Sequence, residues 1–145
     1  MRTPIIAAAL VAMPAAATAN CDRMHSLLVS EHVGADREYN EHNPGLLLEC
    51  QGWGFGAYAN SEGDLSVAAY RRLPVYSASS WDAGFAVGGA TGYDQMPVVP
   101  MGMGYVTAYP HEHVGITLGA MPGGEAKEDT VDPIGVLFGA VTYRF

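Results

Sequence analysis

The side chains with most chemistry to offer in this 145-residue chain are five histidines, two cysteines and fifteen carboxylates, and spacing decides what they can do. His111 and His113 flank Glu112, which sets two imidazoles on one side of an extended segment. Two histidines fill half of a tetrahedral metal site, and a polar turn explains the triplet equally well, so neither a metal nor a cofactor is expected. His32 stands alone near a predicted strand end, where a histidine ordinarily serves as a solvated rim residue, and His25 and His42 receive no role. Cys21 and Cys50 are an even pair, so a disulfide is permitted in an exported chain, although their spacing neither requires nor excludes it.

The elements that must position these groups follow from a period-2 pattern with glycine on one face and bulk on the other. In residues 52–59, Trp53, Phe55, Ala57 and Ala59 oppose Gly52, Gly54, Gly56 and Tyr58. In residues 81–90, Trp81, Ala83, Phe85 and Val87 oppose Asp82, Gly84, Ala86, Gly88 and Ala90. Residues 113–120 and the final strand ending at Phe145 repeat the pattern, with Val114, Ile116 and Leu118 against Gly115, Thr117 and Gly119, and Leu137, Val141 and Tyr143 against Ala140, Thr142 and Arg144. Successive strand side chains point to opposite faces, so each strand has one greasy face and one nearly empty face. A soluble sandwich packs its bulk inward to native density, so the pattern predicts a barrel whose bulky face meets lipid.

Targeting signals agree. Arg2 precedes an apolar stretch over residues 5–13, and Ala17-Thr18-Ala19 supplies the small residues of a cleavage site, so residues 1–19 are expected to be a signal peptide and 20–145 the exported barrel. No later apolar run approaches the ~18 residues of a membrane helix, so a spanning structure must be a closed barrel. A formal charge of -8 argues against nucleic acid as a partner.

Eight strands are predicted, at 25–33, 45–50, 52–59, 64–71, 80–91, 98–108, 113–120 and 134–145, giving an all-β, eight-stranded antiparallel transmembrane β-barrel of the outer-membrane type, expected to be a monomer. With both termini periplasmic, the outer loops are 34–44, 60–63, 92–97 and 121–133, and the turns are 51, 72–79 and 109–112. Cys21 and Cys50 then share the periplasmic side. Eight strands enclose just enough room for side chains, so the inward glycines Gly52, Gly54, Gly56, Gly84, Gly88, Gly102, Gly104, Gly115 and Gly119 suggest a guest such as an apolar chain, with few charged groups beside it. The competing explanation is that glycine relieves crowding and lets strands approach. Met101 and Met103 fit a lipid-facing strand better than the alternative of an adaptable pocket wall.

The segment from Ser30 through Leu48, with His32, Tyr39-Asn40-Glu41 and Asn43-Pro44-Gly45, resembles the lipid A palmitoyltransferase (PagP) family. Asn60-Ser61, Ala68-Ala69-Tyr70, the Gly88 to Gly92 stretch, Pro97-Val98-Val99-Pro100, Val114 and Met121-Pro122-Gly123 follow in the family's order, so the resemblance covers residues 30–145 through short motifs. It implies an outer-membrane enzyme that moves an acyl chain, palmitate or shorter, from a phospholipid donor to lipid A as acceptor, with the chain held in the barrel. His32 corresponds to the family's catalytic histidine and acts as general base, Ser61 to its serine, and Pro44, Pro100 and Pro122 to prolines that admit lipids sideways.

Two departures follow from the same comparison. Asn60 stands where the family has an aspartate, and in a hydrolase triad such a swap costs around 10⁴ in turnover. Arg71 stands where the family has the glycine of the acyl-pocket floor, beside the pocket glycines Gly54, Gly56, Gly84 and Gly88. Three functions therefore stay open: acyl transfer to lipid A, phospholipid hydrolysis at the same site, and a non-catalytic barrel that binds lipid or serves structure, which Asn60 favours.

Overall fold

The computed structural model describes residues 20–35, 38–94, 96–123 and 135–145, so the expected signal peptide lies outside the described residues. Eight strands form, β1 Cys21–Val33, β2 His42–Cys50, β3 Trp53–Ala59, β4 Leu65–Ser77, β5 Trp81–Ala90, β6 Val99–Ala108, β7 Val114–Pro122 and β8 Gly135–Arg144. Each pairs antiparallel with its sequence neighbours, and β1 pairs with β8 to close the barrel. Closure leaves no edge strand along the wall.

One end, the termini end, carries Cys21, Phe145 and the turns that follow β2, β4 and β6. The other, the loop end, carries the segments that follow β1, β3, β5 and β7. Cys21 and Cys50 face one another across β1 and β2 and are disulfide-bonded, fastening the first hairpin at the termini end.

Three strand limits differ from the sequence expectation. β1 begins at Cys21 instead of 25, and β2 at His42 instead of 45, so Pro44 lies within a strand. β4 runs on to Ser77 through the segment 72–79 expected as a turn, pairing with β5 as far as Ser77↔Asp82. Leu73, Val75 and Tyr76 favour extended backbone, and a register shift between Pro74 and Tyr76 absorbs the proline.

The bulky face is the outer wall. Leu118 is 64% exposed, Trp53 57% and Phe85 57%, with Ile116, Val106, Leu137 and Val141 beside them. The glycine face is inward, yet it is not empty. Tyr70 lies opposite Gly54 on β3 and Gly88 on β5, and Tyr105 lies opposite Gly84 on β5 and Gly119 on β7. A Cβ on Gly54 would overlap the Tyr70 ring, and one on Gly84 would meet the Leu73 carbonyl and, at 2.9 Å, the Tyr105 hydroxyl. At Gly56 and Gly88 a Cβ would strike the carbonyls of Leu46 and Ala69 on neighbouring strands. These glycines admit rings and backbone, so the crowding explanation accounts for all four.

On β6 the expected faces are exchanged. Tyr105 and Thr107 are buried inside and Met101 and Met103 pack against the interior cluster, which puts Gly102 and Gly104 on the wall with exposed Val106. The sequence of this strand alternates glycine with methionine, and methionine suits wall and interior alike, so its face cannot be told from bulk.

Candidate functional site

The interior divides into two chemically distinct halves. Towards the loop end, Leu47, Ala68, Ala86 and Ala90 form an apolar cluster against which Tyr58, Tyr93, Met101 and Met103 pack while keeping partial exposure. The Tyr58 and Tyr93 hydroxyls meet at 3.1 Å, and burial pushes the Tyr93 hydroxyl well above the ordinary phenol range. Met101 and Met103 bring flexible thioethers to this cluster, which adapt their packing more readily than branched side chains do.

Towards the termini end the interior is ionic. Arg23 and Arg72 both bind Asp82, at 2.8 and 2.7 Å, and both approach Glu49, at 3.5 and 3.8 Å. Glu49 also accepts from the Tyr70 hydroxyl at 2.9 Å and faces His25 Nε2 at 3.2 Å. His25 Nδ1 continues to Thr142 at 2.8 Å, then Thr117 and Thr107, which spans the lumen from β1 to β6. Arg23 donates to the Tyr109 hydroxyl at 2.8 Å, and burial pushes that hydroxyl up to about 12, so it stays protonated near neutral pH. Two guanidiniums against two carboxylates balance, which is what a buried ionic group requires. Few charged inward groups were expected, and this cluster corrects that. Asp82 and Arg144 lay on the inward face of the sequence pattern, but the parity of β1, β2 and β4 would have been needed to add Arg23, His25, Glu49 and Arg72.

Arg71 is not among them. It sits on the wall opposite Trp53, with its guanidinium 5.3 Å from the indole centroid and donating to the Gln51 carbonyl at 2.8 Å. The expected pocket floor at Arg71 is therefore corrected. Strand parity turns the adjacent Arg72 inward, and Tyr70 with the ionic cluster closes the apolar half from below.

At the loop end, His32 stacks on Tyr39 with ring centroids 4.1 Å apart and lines, with Ala35, Glu38, Tyr39 and Glu41, a cavity of about 410 Å³. Asn40 staples this loop to the β3–β4 turn. Its amide N–H donates to the Ser61 carbonyl at 2.8 Å and its side chain to the Asn60 carbonyl at 2.9 Å. His32 and Ser61 thus belong to one connected rim.

Asn60 has a different task. It is fully buried, donating through Nδ2 to the Gly92 carbonyl at 2.6 Å and Ser66 Oγ at 3.1 Å, while Oδ1 accepts the Glu62 and Asp64 amides, each at 2.9 Å. A side-chain amide has two N–H donors and a carbonyl with two lone pairs, so Asn60 is saturated by the turn it organises. Asn60, expected as part of the catalytic set, is committed to holding that turn.

The prolines mark interruptions in the wall. β6 and β7 pair only from Gly104↔Ala120 to Ala108↔Ile116, whereas β7 continues along β8 to Pro122↔Gly135 and β6 along β5 to Ala90↔Val99. Among the described residues the β6–β7 ladder therefore stops short of Met103 and Met121, with Pro100 and Pro122 beyond its end and Met101 and Met103 packed on the interior side. Between β1 and β2 the ladder steps from Leu27↔Gly45 to Val29↔His42, passing over Pro44, and Ser30 Oγ donates to Asn43 Oδ1 at 2.6 Å across that gap. Proline has no N–H for a ladder, so Pro44, Pro100 and Pro122, like Pro74 on β4, each remove a ladder donor from the wall.

Fold and interior together define a closed eight-stranded antiparallel β-barrel with an apolar outer wall, an ionic closure at one end and an apolar, laterally interrupted half at the other. No protein-family model matches the chain, and no curated protein is detectably similar to it.

Proposed function

We propose that the chain is an outer-membrane β-barrel, with its loop end at the cell surface, that transfers an acyl chain from a phospholipid to lipid A. The observation that carries this reading is the early end of the β6–β7 ladder beside the apolar interior cluster, with the His32 rim at the same end of the barrel. An exposed wall of tryptophan, phenylalanine, leucine, isoleucine and valine supports the membrane setting, because so much bulk facing water would aggregate.

In this scheme the donor enters between β6 and β7, and its acyl chain lies against Met101 and Met103 above Tyr70. His32 takes the proton of an acceptor hydroxyl as that oxygen attacks the ester carbonyl, and returns it to the departing lysophospholipid oxygen. Ser61 either positions the acceptor or forms a transient acyl ester. Asn60 holds the turn that carries Ser61 and takes no proton.

Mass spectrometry of lipid A from cells with and without the chain tests this. Expected is lipid A heavier by one acyl chain, lost in His32→Ala while the barrel remains inserted. Free fatty acid and lysophospholipid without heavier lipid A would assign hydrolysis instead. No lipid change would leave a non-catalytic barrel, the reading that the saturated Asn60 side chain favours.

A further inference from the structure

A second cavity lies on the outer wall, beside the β1–β2 interruption and apart from the β6–β7 ladder end. It holds about 390 Å³ and crosses four consecutive strands, β7, β8, β1 and β2. Two cross-strand rows build it. In the lower, Leu118, Gly139 and Val29 are register partners, and in the upper, Leu137 is partnered with Glu31, beside Glu41. Gly139 makes the dip, because a Cβ there would stand 3.4 Å from Val29 Cγ2 and 3.9 Å from Leu118 Cδ2. The groove is apolar at its lower end, while at its loop end it is bounded by two exposed carboxylates and His42, with no lysine or arginine among the described residues of its lining.

We propose that this groove binds a lipid whose headgroup carries an ammonium, with one acyl chain over Gly139 and the ammonium against Glu31 and Glu41. This rests on the membrane reading above and adds a headgroup preference to it. The polarity runs as a lipid's does, tail towards the middle of the wall and head towards the loop end. The sign of the charge selects the occupant: an anionic headgroup would meet two like charges, whereas an ammonium gains two partners that are desolvated in part by the headgroup layer. A protein partner would need to match the same narrow apolar strip and would compete with lipid for it.

The full-length barrel is refolded into vesicles of equal phosphatidylethanolamine and phosphatidylglycerol with identical chains, and insertion is scored by heat-modifiable gel mobility. Lipids retained are then counted by native mass spectrometry. About five-fold greater retention of the ethanolamine lipid is expected, the scale of one partly exposed ion pair. Glu31→Gln with Glu41→Gln brings the ratio to about one, and Gly139→Leu lowers retention of both lipids without changing insertion. Equal retention, a preference that survives the double glutamine variant, or a dimer mass in place of bound lipid would each overturn the proposal. Insertion without preference overturns this site alone, whereas failure to insert overturns the membrane reading together with it.

Discussion

At the scale of single residues, two neighbours and one amide decide what the interior of this barrel can do. Asn60 is buried beneath the β3–β4 turn with four hydrogen bonds, so Asn60→Ala strands the Gly92 carbonyl and two amides. Leaving buried groups unmet costs about 1–3 kcal/mol each before relaxation, so a loss of about 2–4 kcal/mol is expected in urea titration. Asn60→Asp keeps the accepting oxygen but faces the Gly92 carbonyl with a carboxylate, so it destabilises too and raises no acyl transfer. A gain of activity in that variant would restore Asn60 to the chemistry. Arg71 and Arg72 make the second contrast. Arg72→Met leaves Asp82 and Glu49 sharing Arg23 inside the lumen and is expected to cost about 3 kcal/mol or more, whereas Arg71→Met removes a wall contact and costs under about 1 kcal/mol. Equal effects in equilibrium unfolding would show that the two arginines do not differ in burial. Chain order alone places Arg71 on the wall once Tyr70 is inward, but a lone Tyr-Arg-Arg run does not say which residue starts the count.

Among the elements, the strands were legible because glycine alternates with bulk over long runs, and the meaning of the glycines was not. Period 2 tells which residues share a face, whereas what fills that face comes from the register between strands, and register is set by pairings that a sequence does not display. Tyr70 opposite Gly54 and Gly88 is such a fact, and it turns an apparently hollow face into a packed one. The proline positions were legible as breaks in pairing, and Pro44, Pro74 and Pro122 lie at or beside irregular stretches of the β1–β2, β4–β5 and β6–β7 ladders. The early end of the β6–β7 ladder makes a prediction about backbone dynamics. In hydrogen exchange on the inserted barrel, amides of residues 101–103 that point towards β7 exchange at least ten-fold faster than those of residues 104–108, because the latter are in the β6–β7 ladder. Uniform protection along β6 would mean that the seam is closed and would remove the lateral route.

For the molecule as a whole, charge is arranged along the barrel axis. Among the described residues, Arg23, Arg71, Arg72 and Arg144 all lie towards the termini end, while Glu31, Glu38, Glu41, Glu62, Asp64 and Asp94 lie at the loop end. Within the lumen, Arg23, Arg72, Glu49 and Asp82 span the barrel and are joined to Tyr70, Tyr109 and the threonine chain of β6, β7 and β8. Eight strands give an interior that side chains can fill, and here they fill it with groups that hold one another by charge-assisted bonds. An ion crossing the barrel would have to break bonds to both carboxylates and pass the Tyr70 ring seated on Gly54. The intact barrel is therefore expected to pass no steady current in a planar bilayer, even where insertion is verified by gel mobility. Asp82→Ala takes away the acceptor shared by Arg23 and Arg72, leaving both guanidiniums dependent on Glu49, and should introduce transient openings along with a stability loss of about 3 kcal/mol or more. A steady conductance in the unaltered protein, growing in step with the number of inserted barrels, would show that the ionic cluster is the lining of a pore and not its closure.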